Sequence, residues 1–497
     1  MTQPQKVVYV IVDGMSTDAF ERVVGSGAAP GLAFLKERGA YVRDSVAIFP
    51  TITPCASASL VTGEKPHRHR IPGMCWYDRD AHRFVNYGQS PRAAVIEGVG
   101  QIVEDVLVNL NERHLSPEVS TIHEDLDRRG LRTASINFMV FRGPHRLELR
   151  PNLLERLLFR RRLPKSMVGP VEHYFADIVN GEAGACSKLI STRGLEKRIR
   201  ATDAWASCVT RELLERDAAD MILFYLHEND HHSHRVGPDD QVESLAEADR
   251  HLRHVLETFG SWEETADRVG FVVTSDHSQS PVSDDSDHIM RLEEVLDDFS
   301  SVKPSRGKEP FGDKEVAVAG NGRVGFVYLN EAKHEKLAAP VIETLRAHPG
   351  VDQVIWRADA DFFVANERSE VSFHPSRNGG IEDERGGRWS IDGDLAAVSG
   401  VVEDRRLRTP EYPLALWRAS SALHLDRCGD VIVTAKLGWE FTDLAGGDHR
   451  GGGDHGSLHV QDSIVPFIST LAEPPLHPST IDAAPHIVGH FDRTRSA

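Results

Sequence analysis

The chain has 497 residues, with 57 Lys plus Arg against 75 Asp plus Glu and a formal charge of −18. That acidic balance excludes a protein that wraps nucleic acid by neutralising its phosphates, which needs a basic face. It leaves room for a small phosphate-bearing substrate held through bound metal. A hydrophobic share of 40% and a charged share of 27% exclude wholesale disorder.

The first apolar run, Lys6–Val12, is too short to span a membrane and stops at Asp13. No small-residue cleavage site follows it, so it reads as a buried strand rather than a signal peptide. Residues 28–39 read as a helix ending on Lys36, Arg38 and Gly39. Pro54 suits the first turn of a helix running to Gly63, with Thr53 as its N-cap. Strands are expected at 131–138, Met221–Leu226 and Val269–Thr274. Between the last two, Leu245, Ala248, Leu252, Val255 and Leu256 recur at helical spacing over 244–259. Further strands are expected at Val324–Leu329, 354–356, 430–434 and 464–470. This alternation argues for an α/β fold, a mostly parallel central sheet with helices on both faces.

Two stretches read as insertions. Residues 143–194 form a lid-like one that holds a basic amphipathic segment at 153–163, suited to a core-packed lid helix or to peripheral lipid contact. Residues 300–426 form an inserted α+β region, which leaves a discontinuous core at 1–299 and 427–497. Residues 493–497 read as a frayed tail. No run is long enough for a transmembrane segment. The five cysteines (Cys55, Cys75, Cys186, Cys208, Cys428) are odd in number, dispersed and without CxxC spacing. They read as reduced thiols of a cytoplasmic protein, with a Cys55–Cys75 bridge as the less favoured alternative.

The 25 histidines are the unusual feature of the composition, and several stand beside aspartates. Asp230-x-x-x-His234 puts a carboxylate and an imidazole on one face of a helical turn, although four histidines within 227–234 also suit a solvated loop. Asp276-His277 follows a strand, where a bent turn lets neighbouring side chains converge; the alternative is an Asx turn. Gly451-Gly-Gly-Asp-His455-Gly-Ser457 surrounds a histidine with glycines that allow close backbone approach. His449, in a similar run, is its rival, and His455 is favoured because a strand follows it closely. Asp13 ends the first strand, and in parallel sheets ligands gather at the carboxyl ends of strands. Thr53, at a helix N-terminus, sits where backbone N–H groups favour an anion. Asp13, Thr53, Asp230, His234, Asp276, His277 and His455 together suffice for two ions bound through nitrogen and oxygen, zinc first and manganese as the alternative. Two ions roughly 4 Å apart clamp the attacking and leaving oxygens of a phosphoryl displacement.

These runs resemble the alkaline phosphatase superfamily, and most closely its type I phosphodiesterase/nucleotide pyrophosphatase branch. The resemblance rests on Val-Asp13-Gly, Phe-Pro-Thr-Ile-Thr53-Pro with Leu-Val-Thr-Gly63, Asp230-x-x-x-His234-x-x-Gly-Pro238, Ser-Asp276-His277 and Asp-His455-Gly-Ser, in family order. It implies an alkaline phosphatase-like core and two Zn2+ per chain. Asp13, Asp276 and His277 with the Thr53 oxygen would hold one ion, and Asp230, His234 and His455 the other. It implies Thr53 as the nucleophile, ten residues before Gly63, with Thr51 as a capping or strand-end residue. The expected partner is a small-molecule phosphodiester, hydrolysed through a phosphothreonine; the oligomeric state stays open.

The sequence also departs from the branch. Pro-Cys-Ala-Ser follows Thr53, and Ile71-Pro-Gly-Met74 stands where the branch has a phosphoryl-binding asparagine. Asn86 or a main-chain N–H would have to substitute, which weakens a nucleotide assignment more than phosphoester hydrolysis. Cys55 is followed four residues later by Ser59 rather than arginine, against a sulfatase. The alternatives are a phospholipase C-like hydrolase, a phosphomonoesterase using Arg68 or Arg70 as its cation, and a non-catalytic metal-binding protein. Trp76 and Tyr77 read as core aromatics, with stacking on a substrate base as the other reading.

Overall fold

Continuous apolar runs buried on both faces are the signature of parallel strands under two layers of helix, and they set the frame here. The computed structural model describes residues 4–148, 166–175, 186, 202–377 and 379–496. Seven strands form the central sheet: β1 (Lys6–Val12), β2 (Ala40–Val46), β3 (Thr133–Ile136), β4 (Glu172–Tyr174), β5 (Met221–Leu226), β6 (Val269–Thr274) and β7 (Ile464–Ser469). Their order is β2-β7-β6-β1-β5-β3-β4. Only β7 runs against the rest, pairing antiparallel with β2 and β6. The expected mostly parallel α/β sheet is therefore present.

Alternation along β1 divides the core. Val7, Tyr9 and Ile11 face one cluster, which includes Cys55, Ala56 and Leu60 of helix α1 (Thr53–Thr62). Val8, Val10 and Val12 face the other, with Leu245, Leu252 and Val255 of the helix Gln241–Leu256. These side chains are at or near 0% exposed, and burying each valine, leucine or isoleucine among them contributes about 1.5–3 kcal/mol.

Register brings the site together. Val12 of β1 lies opposite Leu226 of β5, and Ile11 opposite Thr274 of β6. The residues just beyond these ends, Asp13, His227–Asp230 and Asp276–His277, therefore leave the sheet at the same edge.

A second sheet of ten strands packs beside the first. It is antiparallel except for one parallel bridge at Glu382↔Arg406, and its Ala317, Phe326 and Ile432 join the same core cluster as Tyr9. Its strand Val431–Ala435 lies between Val324–Leu329 and Val351–Ala358. Residues 431–435, which the sequence places in the segment 427–497, belong to this second sheet. Likewise Glu172–Tyr174, expected within a lid, is an edge strand of the central sheet. The hairpin of His145–Glu148 with Ser166–Gly169 precedes it, and the amphipathic segment 153–163 lies outside the described residues.

Two further expectations are corrected, and one about the aromatics holds. Cys186 and Cys208 are joined in a disulfide, while Cys55, Cys75 and Cys428 are buried free thiols. The reduced-thiol reading fails for that pair, and with it goes the cysteine argument for a cytoplasmic protein. The tail expected at 493–497 instead carries the helix Ala483–Ser496. Trp76 and Tyr77, each 1% exposed, are core aromatics; the Tyr77 hydroxyl donates to the Glu309 carbonyl. Among the described residues no helix is long and apolar enough to cross a membrane.

Candidate active site

The N-terminus of α1 sets the position of Thr53. The residue before the helix, Ile52, is extended and offers no side-chain cap. Thr53 is the first helical residue rather than the expected N-cap, because Pro54 fits the next position with its φ already helical. Its hydroxyl is therefore not spent on its own helix. It lies 3.1 Å from Nε2 of His277. Thr51 has the other role expected for it: its hydroxyl donates to the Ser457 carbonyl at 3.0 Å and accepts from the Gly456 N–H at 3.0 Å.

The six remaining side chains converge in three overlapping groups, one of them His234 and His455 with Asp454. Asp13, Asp276 and His277 form the first, and Asp230 meets His277 and His455 in the second. His277 Nε2 is 3.5 Å from Asp13 Oδ1 and 3.3 Å from Asp276 Oδ2. Asp230 and His234 are one turn apart on helix α2 (Glu228–Val236), as their spacing requires, with Nε2 to Oδ2 at 3.2 Å. His455 Nε2 is 3.8 Å from Asp230 Oδ1, and its ring stacks on His277 at 3.5 Å.

Each imidazole is oriented by its other nitrogen. His234 Nδ1 lies 2.8 Å from the Gly453 carbonyl, His455 Nδ1 2.7 Å from the Thr51 carbonyl and His277 Nδ1 3.2 Å from the Ser278 carbonyl. A carbonyl only accepts, so each ring carries a proton on Nδ1; His277 and His455 turn a bare Nε2 inward, as metal-binding histidines do, while His234 Nε2 faces Asp230. Asp13 Oδ1 and Asp276 Oδ2 are buried with no hydrogen-bond partner. Orphaned carboxylate oxygens and bare imidazole nitrogens facing one space form the donor set of a nitrogen–oxygen metal site, and the residues fit divalent cations.

Electrostatics agree. Burial, then the negative charges of Asp230 and Asp276, raises the Asp13 carboxyl well above its usual range. Burial lifts Asp276 to about 6. Such carboxylates lack a compensating positive charge. Burial also holds His277 and His455 at about 4, so both are neutral near pH 7 and free to ligate. Asp230 is held low against burial by His234, whose own pKa is raised by Asp230.

Supporting residues escaped the sequence reading. The Tyr225 hydroxyl donates to Asp13 Oδ2, Asn229 Nδ2 donates to the Asp13 carbonyl at 2.8 Å, and Gln279 Nε2 donates to Asp230 Oδ1. Tyr225 is hidden within an apolar run; Gln279, two residues past His277, was the visible one. Two glycine positions are dictated by close approach. A Cβ on Gly14, at φ +66°, would lie 3.0 Å from Asp230 Oδ1, and one on Gly452 would strike the His234 carbonyl.

The second sheet braces this edge from behind. At its hairpin turn the Arg323 N–H donates to the His455 carbonyl at 2.8 Å. The fully buried Arg323 guanidinium pairs with Asp462 at 2.7 Å. Asp462 in turn accepts from the Ser457 N–H at 2.9 Å.

Other candidates are elsewhere. Arg68 faces Glu64 and Glu118, and Arg70 faces Asp426, all at the surface. Asn86 is buried, giving its amide to Glu97 and its carbonyl oxygen to the Gly88 and Gln89 N–H groups. Asn321 fastens the Ile71–Met74 stretch through the Met74 and Cys75 N–H groups. A cleft of about 640 Å³ abuts the site through Ser278 and Gln279, yet none of the seven side chains lines it.

Residues 7–458 match the family described as type I phosphodiesterase/nucleotide pyrophosphatase. The chain belongs to that family. A comparison with curated proteins found no match. Among solved structures, this phosphodiesterase-family chain is similar to murine ectonucleotide pyrophosphatase/phosphodiesterase 5, with TM-score 0.56 and 14% identity over 98% of this chain and 95% of that one. It is also similar to the human form, with TM-score 0.55 and 15% identity over 98% and 95%. A third is phosphonoacetate hydrolase from Sinorhizobium meliloti 1021 in complex with phosphonoformate, with TM-score 0.57 and 16% identity over 98% and 96%. At these identities the neighbours establish the fold, an alkaline phosphatase-type α/β architecture. Family membership makes the protein a phosphoric ester hydrolase of the phosphodiesterase/pyrophosphatase kind.

Proposed function

We propose that the protein hydrolyses a small-molecule phosphodiester or pyrophosphate with Thr53 as nucleophile. The observation that carries this reading is the convergence of three Nε2 atoms and two orphaned carboxylate oxygens beside a threonine hydroxyl freed from helix capping. Asp13, Asp276 and His277 with the Thr53 oxygen would hold one ion, and Asp230, His234 and His455 a second, zinc first and manganese as the alternative. When bound, such ions lower the pKa of a ligated hydroxyl and offset charge that builds on phosphoryl oxygens.

The chain's own residues do the rest. Thr53 Oγ1 gives its proton to water and bonds to phosphorus, the bond to the leaving-group oxygen breaks, and the departing alcohol or phosphate oxygen takes a proton from water. Water then cleaves the phosphothreonine. The α1 N-terminus presents its dipole to the phosphoryl group. Tyr225 and Asn229 keep Asp13 turned inward, and Gln279 does the same for Asp230. In the murine neighbour a threonine-to-alanine variant is inactive and was obtained in complex with AMP, which supports a threonine as the reacting group. A diester is favoured over a monoester because Arg68 and Arg70, the candidate partners for extra phosphoryl charge, are paired at the surface.

The test compares bis-p-nitrophenyl phosphate, p-nitrophenyl phosphate, a dinucleotide and a glycerophosphodiester on protein that is chelated and then resupplied with Zn2+ or Mn2+. Diester turnover that vanishes on chelation and returns with metal is expected. Turnover indifferent to chelation would contradict the reading.

A further inference from the structure

A second group of ligand-type side chains lies against the first, outside the seven. Glu440 belongs to the short strand Glu440–Thr442 and Asp454 to Gly453–Asp454, and His449 sits on the glycine-rich loop between them. Glu440, His449 and Asp454 bring one oxygen or nitrogen each within 4.8 Å of the others. His449 Nδ1 is 2.9 Å from Glu440 Oε2 and 3.7 Å from Asp454 Oδ2. The carboxylate side chains are 1% and 3% exposed, and His449 is 33% exposed.

Two buried carboxylates side by side need positive charge between them. His449 Nδ1 has one proton to give, and Glu440 takes it. Asp454 Oδ2 is left buried with no hydrogen-bond partner, aimed into the group. The other oxygen, Oδ1, is 4.0 Å from His234 Nδ1, but that nitrogen is already committed to the Gly453 carbonyl. The hairpin turn makes room for this carboxylate: a Cβ on Gly322, at φ +60°, would strike both of its oxygens.

We propose that Glu440, His449 and Asp454 bind a third divalent cation, distinct from the two assigned to the Thr53 site. It takes the place of the proton shared by His449 and Glu440 and supplies the missing partner of Asp454 Oδ2. One nitrogen and two carboxylates suit Zn2+ or Mn2+. Its role is positional. The His449 ring stacks on His234 at 4.2 Å, and the loop from His449 to Gly453 supplies the carbonyl that orients His234. Pinning that loop fixes the direction of His234 Nε2.

The test is equilibrium dialysis of the full chain, stripped by chelation, against Zn2+ alone or Mn2+ alone, with metal counted per chain. Wild type is expected to hold one more equivalent than His449→Ala or Glu440→Gln, whatever the count at the Thr53 site. Failure of the catalytic assignment is thereby distinguishable from failure of this one. To separate a lost site from a disturbed His234, the same comparison is made in a His234→Ala background. His449→Ala must again remove one equivalent. His449 lies on a partly exposed loop, so its alanine variant carries the test even where Glu440→Gln unfolds. Equal counts in wild type and His449→Ala, or no further loss in the His234→Ala background, would overturn the proposal.

Discussion

The two halves of the metal-ligand cluster are built differently. Asp13, Asp276 and His277 sit at strand ends with side chains 0–5% exposed, fixed by the parallel register of β1 and β6. Asp230, His234 and His455 come from a helix and a glycine loop, with side chains 7–18% exposed. The first half inherits its geometry from the sheet. The second needs bracing by Gln279, by the Gly453 carbonyl and by a hairpin of the second sheet. Strand register sets where the first ligands leave the sheet, with Tyr225 and Asn229 then holding Asp13, whereas loop-borne ligands owe even their placement to distant residues that nothing local announces.

Thr53 joins the halves, and its replacement has the largest expected effect. Thr53→Ala should lower kcat at least about 10³-fold while metal content stays unchanged, as measured by turnover and metal analysis together. Loss of metal in that variant would show that the strand-end half depends on the hydroxyl. Arg323→Met attacks the braced half alone by stranding the buried Asp462 carboxylate. A destabilisation of about 3–5 kcal/mol is expected from denaturant unfolding, with His455 released more than His277. Reduction of Cys186–Cys208, which spans a 22-residue separation and includes none of the ligands, should cost about 3 kcal/mol of stability and leave diester turnover intact under native conditions.

The smallest effect concerns pH at the far side of the same sheet. Burial holds His123 and His173 at about 3, below the value near 6.5 of an unfolded chain. The unfolded state therefore binds more protons between these values, and stability present above pH 6.5 is lost as pH falls. Each histidine should forfeit about 1–2 kcal/mol between pH 6.5 and 5. Urea midpoints at the two pH values should converge in His123→Phe with His173→Phe if those residues are responsible.

What was legible in the sequence follows the same division. Lys6–Val12, Met221–Leu226 and Val269–Thr274 were read to the residue, because a strand buried on both faces is apolar throughout. The ligands after them were visible for that reason. The outer strands of the second sheet, such as Glu370–Pro375 and Arg388–Gly393, were not read, since they alternate buried and exposed residues amid turns. Val351–Ala358 was seen only as 354–356, because Asp352 and Gln353 interrupt its apolar run. The bracing was illegible for a different reason. Thr51 meets Ser457 across 406 residues, and Arg323 meets Asp462 across 139, pairings no local pattern encodes. Pro54 marks a helix start without saying which neighbour is first, so the sequence points to Thr53 as the cap where the structure has Ile52.

The most direct measurement is mass spectrometry of the enzyme quenched with acid during steady-state turnover of a diester. The account predicts a single phosphoryl group on the peptide that contains Thr53, absent from Thr53→Ala. Sustained turnover with that peptide unmodified, or full activity in Thr53→Ala, would contradict it.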